Sequence, residues 1–317
     1  MGHDSEIYFG NNILAESTPF EGESDDEPEE WQIVITFHSY GDDSADASRT
    51  RAFAVAAIIA PEAIWSSLEA AWVNRNCHFP FHATDCDSDG GIYKERDHKH
   101  NKRLYKDCIT LLAESGAFGF AYVIDLAGRE EFFPDTEPEL HYHWCYQRLI
   151  YRMAEFFGSR GISKIKFNFD NRVDIVANAS AAYSLMVADD EFPYRHVLEE
   201  RVEFLCSTKY PRIQVGDIYT REVMKHLDNM VGPVKREERK SFTALRETGR
   251  FDAQFFMREA WEDKRRKFDE IQQKAGFTFK EYEDWLKLKK RIHNTSNMFE
   301  FLAWLNVCDA KRKADGK

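Results

Sequence analysis

With 317 residues, 43% of them hydrophobic and 31% charged, the chain is long enough for one large domain or two modest ones and too apolar for global disorder. No apolar run nears the roughly 20 residues that cross a bilayer, and no basic stretch followed by an apolar one marks the N-terminus, so a cytoplasmic protein without a membrane partner is expected. The formal charge of −12 argues against an evenly spread grip on nucleic acid, but residues 230–317 hold 21 Lys and Arg against 15 Asp and Glu, net +6, leaving −18 for the first 229.

Residues 1–30 include the acidic run from Glu21 to Glu30, too poor in apolar side chains to offset the entropy of ordering, and read as a flexible tail. From Trp31 the pattern is strand-like: Ile33-Val-Ile-Thr-Phe37, a polar turn from Gly41 to Thr50, then Phe53-Ala-Val-Ala-Ala-Ile-Ile-Ala60, which makes a hairpin. Pro61 suits a first helical position, and Ile64, Leu68 and Trp72 follow at helical spacing.

A helix is predicted over Glu95 to Glu114, a strand at Phe118–Ile124, and then an amphipathic helix whose apolar stripe includes Tyr142, Tyr146, Leu149, Ile150, Met153 and Phe157. The strand Ile165–Phe169 ends at Asp170, a helix covers roughly Ile175 to Val187, and the strand Val202–Ser207 leads into a helix from about Ile213 to Leu227. Strands alternating with helices of this length imply an α/β domain over residues 31–230, a mixed sheet flanked by helices. Residues 231–317 read as a helical C-terminal subdomain without a strand, and the six dispersed cysteines, with no C-x-x-C pair, as buried free thiols.

In an open α/β sheet active groups gather where strands end, which singles out Asp170. Asp217, in Gln214-Val-Gly-Asp217, follows the next strand and would project toward the same edge, so the two carboxylates can share a divalent ion of the kind that drives phosphodiester hydrolysis. Asp170 before Asn171 also suits an Asx turn or a helix cap, Asp217 a pair with Arg221, and Asp42 and Asp43 an ordinary hairpin turn.

The first hairpin, Phe81-His82-Ala83-Thr84, the strand ending in Asp170 and Ile213-Gln-Val-Gly-Asp217-Ile218 come in an order that resembles the domain-of-unknown-function family 3800, over roughly Trp31 to Leu227. The resemblance implies an RNase H-like fold in bacterial and phage proteins, some associated with phage defence or mobile elements. It implies a metal-dependent nuclease, with Asp170 and Asp217 as metal ligands and His82 as a further ligand or substrate contact. The family opens with Asp-Glu-Ser-Gly at the end of its first strand, where this chain reads Phe37-His38-Ser39-Tyr40-Gly41-Asp42. Either Asp42 or His38 supplies the missing ligand, or the site is degenerate and the protein is a module that binds nucleic acid or a protein partner. An all-oxygen set of Asp42, Asp170 and Asp217 would take Mg2+; a histidine among the ligands moves the preference toward Mn2+ or Zn2+.

A second metal motif is Asp85-Cys-Asp87-Ser-Asp89-Gly90, which matches the opening of a Ca2+ loop but has Arg96 where the closing Glu belongs. In the C-terminal region Lys264-Arg265-Arg266-Lys267 and Lys289-Lys290-Arg291, interleaved with aromatics such as Trp261 and Trp285, have the composition of a nucleic-acid grip. Solvated lysines over buried aromatics are the structural alternative.

Overall fold

A computed structural model of the chain describes residues 36–134 and 138–275, together with residues 278, 280, 281, 284 and 285. Strands β1 (Thr36–Ala45) and β2 (Ala52–Pro61) form the predicted hairpin, and β2 pairs in turn with antiparallel β3 (Phe118–Asp125). On the far side of β1 lie parallel β4 (Lys164–Asp170) and β5 (Glu203–Leu205), which gives the order β5-β4-β1-β2-β3-β6. The last of these, β6 (Phe251–Phe256), runs parallel to β3 and corrects the expectation of a strand-free region after Val231. It is a six-residue edge strand in which Phe251, Ala253 and Phe255 turn to one core and Asp252 and Gln254 alternate with them, a pattern too short to stand out between helical stretches.

Nine α-helices among the described residues cover both faces. On one face are α1 (Glu62–Arg75), α2 (Ala83–Ser88), α3 (His98–Glu114), α7 (Pro211–Val231) and α8 (Lys240–Arg246). The other carries α4 (Leu126–Phe132), α5 (Pro138–Gly158), α6 (Val176–Ala188) and α9 (Arg258–Ala275). β2 serves both cores because side chains alternate along a strand. Ala54, Ala56 and Ile58 enter the first core, and Phe53, Val55, Ala57 and Ile59 the second. The predicted stripe on α5 is core, with Tyr146, Leu149, Ile150 and Met153 fully buried.

The small side chains on the first face let α7 lie directly against the sheet. A Cβ added at Gly216 would meet the Tyr40 carbonyl oxygen at 2.8 Å and the Gly41 Cα at 3.3 Å. α7 is therefore buried almost all round from Ile213 to Met224, including Gln214, Asp217, Thr220, Arg221 and Glu222. Among the described residues no helix is long and apolar enough to cross a membrane. Cys86, Cys108 and Cys145 are buried as expected, whereas Cys77 and Cys206 are exposed.

The β1–β2 turn begins after Ala45, later than the sequence suggests, and is organised by Asp46, which is 1% exposed. Its carboxylate accepts from the Ser48 hydroxyl and from the backbone N–H groups of Ser48, Thr50, Arg51 and Ala52. Burial pushes the carboxyl up, but these bonds and the Arg51 charge outweigh it and hold it down to about 2, against an ordinary 3.8. A depressed folded value stabilises the fold above about pH 4 and loses that contribution as pH falls toward 2. At neutral pH it amounts to about 2 kcal/mol. Asp46→Asn is expected to lose most of it at pH 7, with wild type and variant converging near pH 2; thermal unfolding across that range checks this, and a constant difference would contradict it.

Candidate functional site

β1 runs past the end of its sequence-read apolar run, Phe37, through Asp42, Asp43 and Ser44, because its backbone stays paired with β2 over that whole length and with β4 as far as Gly41. Alternation turns consecutive carboxylates to opposite faces. Asp42 shares the Tyr40 side, where α7 lies, while Asp43 meets Arg172 at 2.6 Å. Asp170 ends the neighbouring parallel strand one position beyond the Gly41–Phe169 pair, which places it beside Asp42. Its Oδ1 accepts the Ser207 N–H at 3.1 Å.

Asp217 comes from the second turn of α7, whose close seat on β1 brings it to the same place. It is 5% exposed, and its Oδ2 accepts the Ala83 N–H at 2.7 Å. One turn later, Thr220 Oγ1 lies 3.4 Å from the Asp42 carbonyl oxygen and locks helix to strand. His82 precedes α2, half exposed, with Nδ1 3.0 Å from Asp85 Oδ2.

These elements enclose a cavity of about 370 Å³ whose wall includes Asp42, Asp43, Asp170, Asp217 and His82. Arg49, Arg172, Ser44, Thr84, Ser207 and Thr208 complete its polar lining. Burial pushes the Asp42 carboxyl well above the ordinary range, and the charges of Asp217, Asp43 and Asp170 push it further. Burial also raises Asp217, against the pull of His82, the Ala83 N–H and Arg221. Asp43 is raised by burial and partly offset by Arg172. A buried group of like charges disfavours its own ionised state, and a proton or a cation relieves it. Hard carboxylate oxygens suit Mg2+ or Mn2+, so the donor set fits such an ion chemically. Among the described residues, no three His, Cys, Asp or Glu side chains stand at ligand spacing.

Asp42, Asp170, Asp217 and His82 are thus brought together. His38 is not: it lies four residues earlier on β1, with Nε2 3.9 Å from Glu62, because the strand is longer than its hydrophobic pattern. Arg221 pairs with Asp87 at 3.2 Å, although its charge still reaches Asp217.

The three carboxylates of the Ca2+-like segment do not converge, because residues 83–88 form a helix instead of a loop. Asp85 faces His82, Asp87 faces Arg221 and Arg239, and Asp89 takes His98 and Asn101.

The basic run on α9 is not a free strip either. Lys264 packs over Trp144 and Trp261, at 5.3 and 5.4 Å from the ring centroids, and burial with the Arg148 and Arg129 charges pushes its amine down to about 7. Arg265 pairs with Asp269, Arg266 with Asp263 and Glu270, and Lys267 with Asp263. The charges are spent on neighbours one helical turn away. Lys289, Lys290 and Arg291 lie outside the described residues.

Sequence reasoning missed Arg172, Arg49, Ser207 and Thr208. Arg172, two residues past a strand end, carried a positional signal; the others have only loop positions.

Fold and cavity define an α/β protein with a six-stranded mixed sheet and an acidic cleft at the ends of its central parallel strands. Compared with protein-family models, with curated proteins and with solved structures, the chain matches none.

Proposed function

We propose that the acidic cleft is the active site of a divalent-metal-dependent nuclease of RNase H-like type, with Asp42, Asp170 and Asp217 holding Mg2+ or Mn2+. The observation that carries this reading is the convergence of three carboxylates from β1, β4 and α7 in one cavity, with two of them raised by burial and by their neighbours' charges. Such an ion would activate water and stabilise the leaving oxygen of a phosphodiester.

The chain's own residues supply the rest. Arg49 offers a guanidinium on the cavity wall, and Ser207 and Thr208 offer hydroxyls, all suited to phosphate oxygens, while Arg172 on the same wall is paired with Asp43 and Asp174. His82 stands ready as a substrate contact, steadied by Asp85.

Strand order adds support: an antiparallel β1–β2–β3 meander extended on the β1 side by parallel β4 and β5 is the arrangement expected of an RNase H-like core. The resemblance to the domain-of-unknown-function family 3800 also gains from the longer β1. Setting the family's Asp-Glu-Ser-Gly against Asp42-Asp43-Ser44-Ala45 near the end of β1, rather than against the segment around Phe37, would supply the leading carboxylates. A role in phage defence or on a mobile element would go with that resemblance.

The test is a cleavage assay on mixed RNA and DNA substrates with Mg2+, then Mn2+, comparing wild type with Asp217→Asn. Cleavage by wild type alone is the expected result. No cleavage by either would overturn the nuclease and leave a module that binds nucleic acid or a protein.

A further inference from the structure

The carboxylates that face the cavity are themselves held by backbone N–H groups from two loops far apart in the chain. Ala83, where the loop passes into the first residue of α2, donates to Asp217; Ser207, in the loop after β5, donates to Asp170. One side chain ties those two loops together. Gln214, in the first turn of α7 and 3% exposed, accepts the Phe81 N–H at 3.0 Å and the Trp72 indole N–H at 3.2 Å on its Oε1. Its Nε2 donates to the Ser207 carbonyl at 2.7 Å.

Phe81 is two residues from Ala83, and Ser207 carries both the carbonyl that Gln214 grips and the N–H that Asp170 uses. A buried amide is retained at little cost only when its donors and acceptors are matched. Here acceptor and donor each serve a different wall of the same cavity. Neither a leucine, which would bond neither loop, nor a glutamate, which cannot donate to Ser207, would do both.

We infer that Gln214 is a positioning residue that sets the spacing of Asp170 and Asp217 for a divalent ion, an inference that rests on the metal reading above. Losing an outer partner of a metal ligand typically lowers metal affinity about 10–100-fold. Gln214→Met keeps the volume and removes all three bonds. Gln214→Glu keeps acceptors for Trp72 and Phe81 but sets a carboxylate oxygen against the Ser207 carbonyl, so it loosens only the Asp170 side.

Two measurements separate the claims: Mn2+ affinity by calorimetry, and amide hydrogen exchange of the ion-free protein in the segments holding Ala83 and Ser207. Gln214→Met is expected to quicken exchange in both segments and, acting one bond beyond the outer partners, to weaken Mn2+ binding by about tenfold, the low end of that range. Gln214→Glu is expected to quicken only the Ser207 segment and also to weaken binding; should the Met variant fail to fold, this variant decides. Faster exchange with unchanged Mn2+ affinity would reduce Gln214 to a structural bond and overturn the inference, as would unchanged exchange. If wild type binds no Mn2+, the metal reading fails and the spacing role with it, while the exchange data still report whether Gln214 joins the loops.

Discussion

Under the proposed nuclease reading, metal-dependent hydrolysis by the Asp42→Asn variant is expected to fall by more than about a hundredfold, because a direct ligand would matter more than the outer partners whose loss costs 10–100-fold. The same variant is expected to melt at a higher temperature than wild type when no divalent ion is present. The stability effect follows from the placement of Asp42, where burial and the charges of Asp217, Asp43 and Asp170 push its carboxyl well above the ordinary range. A carboxyl raised by folding stabilises the fold below its unfolded value, and that contribution is lost as pH rises above about 4. Asn carries no charge at any pH, so the variant's advantage should be absent below about pH 4 and grow toward neutrality. Adding Mn2+ should reverse the order, since an ion bound only by the folded wild type stabilises it by mass action. Thermal melts at several pH values, with and without Mn2+, and a single cleavage assay measure all of this. A variant that cleaves like wild type would remove Asp42 from the site; one that melts lower at neutral pH without metal would mean that the carboxylates are not in electrostatic conflict.

That conflict also explains where the sequence misleads. The hydrophobic pattern of β1 fades after Tyr40 because the residues beyond it serve the cavity, so a strand that runs to Ala45 reads as ending near Phe37. Local rules break where function replaces packing. His38, read near a strand end from the apolar run alone, lies instead in the first half of β1, four residues before Asp42. β2, by contrast, is fully legible because both its faces are core.

Asp170 and Asp217 were legible from position alone, one at a strand end and one on a helix following the next strand. Gln214 was visible as half of Gln-x-x-Asp, but its partners Trp72 and Phe81 lie 142 and 133 residues away, and nothing local announces them. The Ca2+-like segment fails for the same reason. Its spacing is correct for a loop, yet Asp87 is claimed by Arg239, 152 residues further on, and residues 83–88 coil into a helix.

Arg239→Met is expected to destabilise the fold by about 3–5 kcal/mol, the cost of leaving one partner of a buried ion pair uncompensated. Glu222, on α7, has no solvent exposure; it accepts the Tyr105 hydroxyl at 2.6 Å and the Ser241 hydroxyl, and its counter-charge is Arg239 at 3.0 Å. Arg239 also forks onto both oxygens of Asp87, so one guanidinium fastens α2, α3 and α8 to α7. Methionine keeps the stem but leaves a buried carboxylate with two hydroxyl donors and no positive charge beside it. The melting temperature should fall by roughly 6–20 °C for a unit of this size. Glu222→Gln added to Arg239→Met should recover part of the loss, because the amide still accepts from Tyr105 without a stranded charge, and the double-mutant cycle read by urea unfolding isolates the pair. A loss below about 1 kcal/mol, the range of exposed salt bridges, would mean that solvent reaches the network. Since Arg239 touches none of the cavity carboxylates, cleavage measured well below the variant's melting point should persist. Asp42→Asn should therefore lose rate and gain stability while Arg239→Met loses stability and keeps rate, as expected if the cleft is held in electrostatic conflict by a scaffold whose own charges are matched.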